Sequence, residues 1–226
     1  MPQKQLHAGH RSRIRKKFLK SLGVELHDYE LLEILLFSAN ARQDTKSVAK
    51  KLIDKFGNVS AVINADVEVL RTMDGIGESA LVQIKLVSRI LQRILKNSVK
   101  NKIILNNWQA LIDYASLLLK DLNYEAFHVL FLDNKHQLIE DELCVIGENN
   151  RVFISSKTIA KKALLLSASS IILLHNHPSG NFQPSESDIN TTNEIAATLK
   201  KLEVKVIDHI IISSCGYFSF RENCLI

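Results

Sequence analysis

The sequence is poor in cysteine and contains no long apolar run. Its three cysteines, Cys144, Cys215 and Cys224, are odd in number and form no Cys-x-x-Cys pair, which argues against a disulfide framework or a cysteine-rich zinc finger. Reduced and mostly buried thiols are therefore expected. No apolar stretch approaches the roughly 18 residues that a membrane span requires, and the N-terminal residues lack the apolar core of a signal peptide. These absences predict a soluble, cytoplasmic protein that does not contact a membrane.

Charge is divided unevenly along the chain. Residues 1–100 hold 18 lysines and arginines against 10 acidic residues, a net charge of +8, whereas residues 101–226 hold 11 against 14. A basic first half is typical of a protein that contacts a polyanion, although a basic solvated surface has the same composition. DNA is accordingly a candidate partner of the N-terminal half.

The spacing of hydrophobic residues divides the chain near residue 100. Residues 1–100 show helical periodicity almost throughout, and a long amphipathic helix over 82–96 leads into the polar stretch 96–102. We therefore predict an all-α domain over residues 1–100 and a second domain over residues 101–226. The chain shows no long internal repeat and no low-complexity tract.

The second half alternates helical and strand-like segments. Several of its strands are apolar enough to be covered on both faces, which predicts an α/β domain with a mixed sheet flanked by helices. The predicted helices cover residues 107–122, 157–166 and 185–202, and the predicted strands cover residues 126–132, 137–145, 170–174, 204–212 and 217–220, the first two as a hairpin.

Two histidines and one acid form the strongest chemical pattern in the sequence. His175 and His177 lie two residues apart at the end of the apolar run 170–174, so the period of a strand places both imidazoles on one side. Asp188 follows a loop, residues 178–184, that is short enough to bring it back toward them. Two histidines and one carboxylate leave the fourth position of a tetrahedral zinc site open, as in catalytic zinc sites.

Structural alternatives exist for each part of this pattern. Neighbouring histidines also occur simply as polar residues at a strand end, and Ser185 and Asp188 have the spacing of a helix capping box. His209, within the apolar run 206–212, is predicted to be a core or supporting group rather than a ligand. A zinc deaminase would require a Pro-Cys-x-x-Cys segment that the sequence lacks. The letters His-Asn-His do not define an HNH nuclease, whose residues are dispersed around a ββα metal site.

The chain resembles the RadC family. The string His175-x-His177-Pro178, six residues, Ser185, two residues and Asp188 is similar to the JAMM signature of the JAB/MPN metalloprotease fold. Position 176 is asparagine where the general signature has serine or threonine, and asparagine is what the RadC branch carries. The similarity extends toward both ends of the chain, including residues 9–15, 28–33, 44–46, 208–212 and 217–220.

This resemblance implies a JAB/MPN-like α/β domain that follows an all-α helix-hairpin-helix domain. It implies His175, His177 and Asp188 as the ligands of one Zn²⁺ ion per chain, with Ser185 as the oxyanion donor. The implied reaction is hydrolysis of a peptide or isopeptide bond by zinc-activated water, on an unknown protein or peptide substrate, with a link to DNA repair. The alternative is a DNA-binding repair or recombination accessory protein whose zinc domain is not catalytic.

The resemblance also implies a glutamate general base on an earlier strand. Glu140, Asp141 and Glu142 are the acids of the predicted hairpin, and alternation places Glu140 and Glu142 on one face. The family carries its glutamate five residues before a glycine, a spacing that Glu142 and Gly147 match, so Glu142 is the predicted general base. A solvated charge at a strand edge is the alternative. Residues 144–148 depart from the family's usual segment, which affects the substrate groove.

A glycine-containing turn in the first half resembles the helix-hairpin-helix motif. Its two glycines allow consecutive backbone amides to face a phosphate at the start of the next helix. An ordinary helix-helix turn is the alternative, and the neighbouring Asp74 and Glu78 would repel phosphate. The predicted DNA-binding residues are those of this turn, Gly75, Ile76 and Gly77, and those of the basic N-terminal run, Arg11, Arg13 and Arg15.

Overall fold

A computed structural model describes residues 3–39, 44–100, 102–146 and 155–226. The helices of these residues, in chain order, are α1 (Gln3–Ser21), α2 (Asp28–Leu36), α3 (Thr45–Phe56), α4 (Val59–Asn64), α5 (Val67–Arg71), α6 (Glu78–Val99), α7 (Trp108–Leu119), α8 (Ser156–Leu165) and α9 (Glu186–Lys200). The strands are β1 (Ala126–Leu132), β2 (Leu138–Ile146), β3 (Ser170–Asn176), β4 (Lys205–Ser213) and β5 (Gly216–Ser219). None of the described helices is both long enough and apolar enough to cross a membrane.

The chain divides into two compact units, Met1–Leu91 and Gln92–Ile226. The described elements of the first unit are all helical, as the hydrophobic periodicity predicts. Its main core includes Leu36, Leu52, Leu70 and Ile84, which are fully buried. Each such side chain contributes about 1.5–3 kcal/mol to folding. The boundary predicted near residue 100 lies at the end of α6, whereas the two units divide within this helix.

The second unit contains one mixed sheet with the strand order β2-β1-β3-β4-β5. Strands β3 and β4 are parallel and are connected by α9, and the other neighbouring pairs are antiparallel. The turn between β1 and β2 is fixed by Asp133, whose Oδ1 accepts hydrogen bonds from the backbone N–H groups of Lys135 and Gln137, both at 2.8 Å. The predicted α/β class, the mixed sheet and the hairpin are confirmed.

Helices cover both faces of this sheet. Leu111 and Leu119 of α7 pack with Ile172 and Leu174 of β3 on one face. On the other face, α8 and α9 pack against the alternate residues of β3, including Leu173. Because side chains alternate along a strand, His175 continues the row of Leu173 toward the side of α8 and α9. The site therefore lies at the carboxyl end of β3, on the face that these two helices cover.

The cysteines are more exposed than predicted. Cys215 and Cys224 are exposed, so the expected burial is wrong for both, because each lies in a turn rather than in a packed element. Cys144 of β2 is partly buried, and this burial raises the pKa of its thiol to about 11. All three cysteines are free thiols, as the sequence predicts.

Candidate metal centre

The strand β3 places both histidines on one side of the chain. His175 is buried and pairs with Phe127 of β1 and Ile211 of β4. The backbone N–H of His177 donates to the carbonyl of Ile212 at 3.0 Å, so strand pairing continues one residue beyond the end of β3. As a result, the imidazole ring centroids of the two histidines lie 4.7 Å apart.

Asp188 completes a group of three side chains that could hold a metal ion. One candidate ligand atom from each of His175, His177 and Asp188 lies within 4.8 Å of the other two. The Nδ1 of His175 is 3.3 Å from Oδ1 of Asp188, and the Nε2 of His177 is 3.3 Å from Oδ2 of the same carboxylate. The short loop 178–184 thus brings the start of α9 back to the end of β3, as the sequence predicts.

The orientation of His177 is set by the loop that follows it. Its Nδ1 lies 2.8 Å from the carbonyl oxygen of Asn181, which can only accept a hydrogen bond, so Nδ1 carries a proton. Nε2 is then the ring nitrogen that faces Asp188 and the one available to a metal. A carbonyl that fixes the second nitrogen of a ligating histidine is the usual arrangement in protein metal sites.

The protonation states of the group suit a cation. Burial lowers the pKa of His175 to about 4, so this imidazole is neutral. Burial alone would raise the pKa of Asp188, but hydrogen bonds from His177 and Ser185 hold it well below its usual range. The hydrogen bond with Asp188 raises the pKa of His177, and a metal ion would compete with that proton. His175 Nδ1 is also buried and makes no hydrogen bond with the described residues, so the three side chains fit a divalent metal.

Ser185 forms the capping box that its spacing predicts. It is the N-cap of α9, and its hydroxyl accepts a hydrogen bond from the backbone N–H of Asp188 at 3.2 Å. Both the hydroxyl and the backbone N–H of Ser185 donate to Oδ2 of Asp188, each at 2.7 Å. The capping bonds hold Oδ2 of Asp188, the oxygen that also lies 3.3 Å from Nε2 of His177, so the helix cap and the group of three use the same carboxylate.

Sequence reasoning missed Glu125, which precedes β1. Phe127 pairs with His175 in the antiparallel register of β1 and β3. Extending this register by two residues places Glu125 opposite His177. The pKa of Glu125 is raised, mainly by burial. The charge of His177 lowers this pKa and the charge of Asp188 raises it, so the carboxyl group lies within electrostatic reach of both side chains. Only the pairing of β1 with β3, which the sequence alone does not reveal, brings this acid to the histidines.

Asn176, the residue between the two histidines, fixes the backbone on both sides of Glu125. Its side chain is buried and points away from the histidine side, as alternation requires. Its Oδ1 accepts from the N–H of Ala126 at 2.7 Å, and its Nδ2 donates to the carbonyl of Tyr124 at 2.9 Å. The His-Asn-His segment therefore directs two imidazoles to one side of the strand, and its asparagine fixes the backbone on both sides of Glu125.

Glu142 contacts a different partner. It lies on β2 opposite Val129, and Lys162 of α8 forms ion pairs with Glu142 at 3.0 Å and with Glu140 at 2.9 Å. The predicted common face of Glu140 and Glu142 is thus seen. Strand β1 separates β2 from β3, so Glu142 lies two inter-strand spacings, roughly 10 Å, from the strand that carries His175. No hydrogen bond or ion pair of the described residues joins Glu142 to the histidines, and Gly147 lies outside those residues.

The predicted turn of the first unit lies between α5 and α6. Gly75 has φ +86°, and a Cβ at this position would lie 2.6 Å from Cγ2 of Val48, so a larger residue would be both strained and obstructed. Ile76 is buried in the core, and the carbonyl of Gly77 accepts the N–H of Leu81 at 3.0 Å in the first turn of α6. The turn therefore presents the amino end of α6, where backbone N–H groups lack helical partners.

The predicted arginines lie on α1. The guanidinium groups of Arg11 and Arg15 lie 5.0 and 5.2 Å from the ring centroid of Phe37, just beyond α2, and Arg11 also donates to the carbonyl of Phe37 at 3.4 Å. Arg13 is exposed. These contacts give Arg11 and Arg15 a packing role within the first unit, although Arg15, like Arg13, is exposed.

Both regions of the chain match known families. Residues 105–225, more than half of the chain, match the model of the RadC-like JAB domain, and residues 7–82 match the model of the UPF0758 N-terminal region. The first match covers the sheet and the His-His-Asp group, and the second covers most of the helical unit. The chain is thus a member of the RadC family, with a JAB domain in its C-terminal half.

Proposed function

We propose that the chain is a zinc-dependent hydrolase of the JAMM type that cleaves a peptide or isopeptide bond. The observation that carries this proposal is the group His175, His177 and Asp188, whose candidate ligand atoms lie within 4.8 Å of one another. These three residues would hold one Zn²⁺ ion. Zinc bound by three protein ligands would supply an activated water molecule, with a pKa of about 7, and would polarise a substrate carbonyl.

Glu125 is the general base that the geometry favours. Its carboxylate is partly buried and near His177 and Asp188, and its raised pKa strengthens it as a proton acceptor at neutral pH. In this role Glu125 takes a proton from the attacking water and delivers it to the leaving amine. Glu142 remains the alternative that the family spacing predicts, but it would have to leave its ion pair with Lys162.

Ser185 is the proposed oxyanion donor. Its hydroxyl lies at the site because it caps α9 and donates to Asp188. The backbone N–H of Ser185 also donates to the same carboxylate oxygen, so Asp188 keeps one cap hydrogen bond if the hydroxyl turns toward a substrate carbonyl. A hydroxyl placed there stabilises the negative charge that develops on the carbonyl oxygen during attack.

Metal content and hydrolysis test this proposal together. We expect the purified chain, stripped with a chelator and reloaded, to retain one zinc ion per chain by inductively coupled plasma mass spectrometry. The reloaded protein should cleave members of a fluorogenic panel of linear and isopeptide-linked peptides, and the stripped protein should not. A wild-type protein that retains no zinc after reloading would contradict the proposal.

A second candidate function is a DNA-binding accessory role in repair or recombination, with a metal domain that does not turn over substrate. The observation in its favour is the turn at Gly75, Ile76 and Gly77, which presents the amino end of α6 within a half of net charge +8. Backbone amides at such a turn bind phosphate without reading base sequence.

DNA binding of this kind should weaken steeply with salt. Neutralised phosphates release counterions, so a logarithmic plot of affinity against salt concentration should be linear with a negative slope. Arg13→Glu should lower the affinity and make the slope shallower by at least about one unit, because it removes an exposed cation. Lys200→Glu, at an exposed position of α9 in the other unit, is the matched control and should change neither. Fluorescence anisotropy on duplex and branched DNA measures both quantities, and binding that is absent at low salt or insensitive to salt would exclude this role.

A further inference from the structure

A buried polar pair lies behind the His-His-Asp group. Thr192 of α9 and His209 of β4 are each 1% exposed. The hydroxyl oxygen of Thr192 is 2.6 Å from the backbone carbonyl of Asp188 and 2.7 Å from Nδ1 of His209. The pair therefore connects the central part of β4 to the residue that offers the carboxylate.

The directions of these two hydrogen bonds follow from their partners. A carbonyl oxygen can only accept, so the Thr192 hydroxyl donates its single proton to Asp188. The hydroxyl oxygen must then accept from His209, which places the imidazole proton on Nδ1. Each group has one role in this chain of bonds, from His209 through Thr192 to Asp188, and the bonds hold the first turn of α9 at a fixed distance from β4.

The ring of His209 also supports the second ligand. It is stacked against the imidazole of His175, with 5.9 Å between centroids, and its other neighbours are Phe220 at 4.6 Å and the edge of Phe127 at 5.5 Å. His175 is thereby limited in how it can tilt. His209 thus contacts His175 through its ring and is connected to Asp188 through the hydroxyl of Thr192. It is not itself one of the three residues that could hold the metal.

We propose that Thr192 and His209 are positioning residues of the metal centre, which set the separation of Asp188 from His175. This inference rests on the proposed zinc site. Buried partners that orient metal ligands typically change metal affinity by about 10- to 100-fold when they are removed. Loss of the Thr192 hydroxyl should therefore weaken zinc binding although all three ligands are retained.

Thr192→Val and Thr192→Ser form the matched test. Valine keeps the shape of threonine and removes the hydroxyl, whereas serine keeps the hydroxyl and removes a methyl group. We expect the zinc dissociation constant of Thr192→Val, measured by competition with a chromogenic chelator, to rise by about 10- to 100-fold. Thr192→Ser should stay close to the wild type. The visible absorption spectrum of the Co²⁺-loaded proteins should change for valine and not for serine.

His209→Asn provides an independent variant, because asparagine places an amide N–H near the position of Nδ1 but lacks the stacked ring. We expect it to bind zinc more weakly than wild type, through the lost contact with His175. Melting temperatures of the metal-free proteins separate positioning from folding: a variant that lowers this temperature but keeps the wild-type zinc affinity contradicts the inference. If the wild-type protein binds no zinc, the proposed function and this inference are both overturned. If the wild type binds zinc and Thr192→Val binds it with the same affinity, only the inference is overturned.

Discussion

Glu125→Gln should retain zinc and lose about 10²- to 10⁴-fold in turnover number, the usual contribution of a general base. Glutamine has the shape of glutamate but cannot take a proton from water at neutral pH. The position of Glu125 is fixed by Asn176, which bonds the backbone on both sides of it, so the substitution should leave the site geometry unchanged. The turnover number is measured on whichever panel peptide the wild type cleaves, with zinc content determined on the same preparation.

Glu142→Gln is the matched control for this prediction. It changes the same residue type on a neighbouring strand, and the lost contact is an ion pair with Lys162 in which the glutamate side chain is 38% exposed. Such pairs contribute little to stability, so Glu142→Gln should keep both zinc and turnover close to wild type. The reverse result, an inactive Glu142→Gln and an active Glu125→Gln, would assign the base to Glu142 as the family spacing predicts.

The grouping of His175, His177 and Asp188 was readable from the sequence because its determinants are local. The period of a strand sets the common side of His175 and His177, and a capping box sets the start of the helix that carries Asp188. Only the seven-residue loop 178–184 separates these two features, so few arrangements are open to it. The strand β1, predicted over 126–132, was also found with those bounds, because a run of bulky and β-branched residues is bounded by turn residues.

Glu125 was not readable because its position depends on strand register. Strands β1 and β3 are buried on both faces, so neither shows the polar alternation that would reveal how they align. Alternation correctly grouped Glu140 with Glu142, but it specifies a face of the sheet and not the distance along that face. The order β2-β1-β3 places Glu142 two strands away from His175, and that order is a tertiary property.

The contacts behind the site are likewise non-local. His209 appears in the sequence as one polar residue in an apolar run, which predicts a satisfied core group. Its partner Thr192 lies 17 residues earlier, on a helix that passes across the sheet. A pattern of residues cannot specify that two such side chains meet, because the meeting depends on how α9 packs on β4.

His177→Ala should raise the zinc dissociation constant by more than about 100-fold, beyond the effect of losing a supporting partner, because it removes a proposed ligand. His177 lies beyond the end of β3, and its backbone N–H rather than its side chain continues the pairing with Ile212. The fold should therefore persist. A ligand that binds only the folded state stabilises it by about 2.7 kcal/mol at a hundredfold excess over its dissociation constant. Zinc should then raise the melting temperature of the wild type and leave that of His177→Ala unchanged.

His27→Ala is the control for this last experiment, because it removes an exposed histidine at the start of α2 in the other unit. It should keep the wild-type zinc affinity and the zinc-dependent rise in melting temperature. Equal zinc binding by His177→Ala and wild type would mean that the bound metal lies elsewhere in the chain. The proximity of His175, His177 and Asp188 would then be a consequence of the capping of α9 alone. A selective loss in His177→Ala ties the metal to the carboxyl end of β3, where the carboxyl group of Glu125 lies within electrostatic reach of His177 and Asp188.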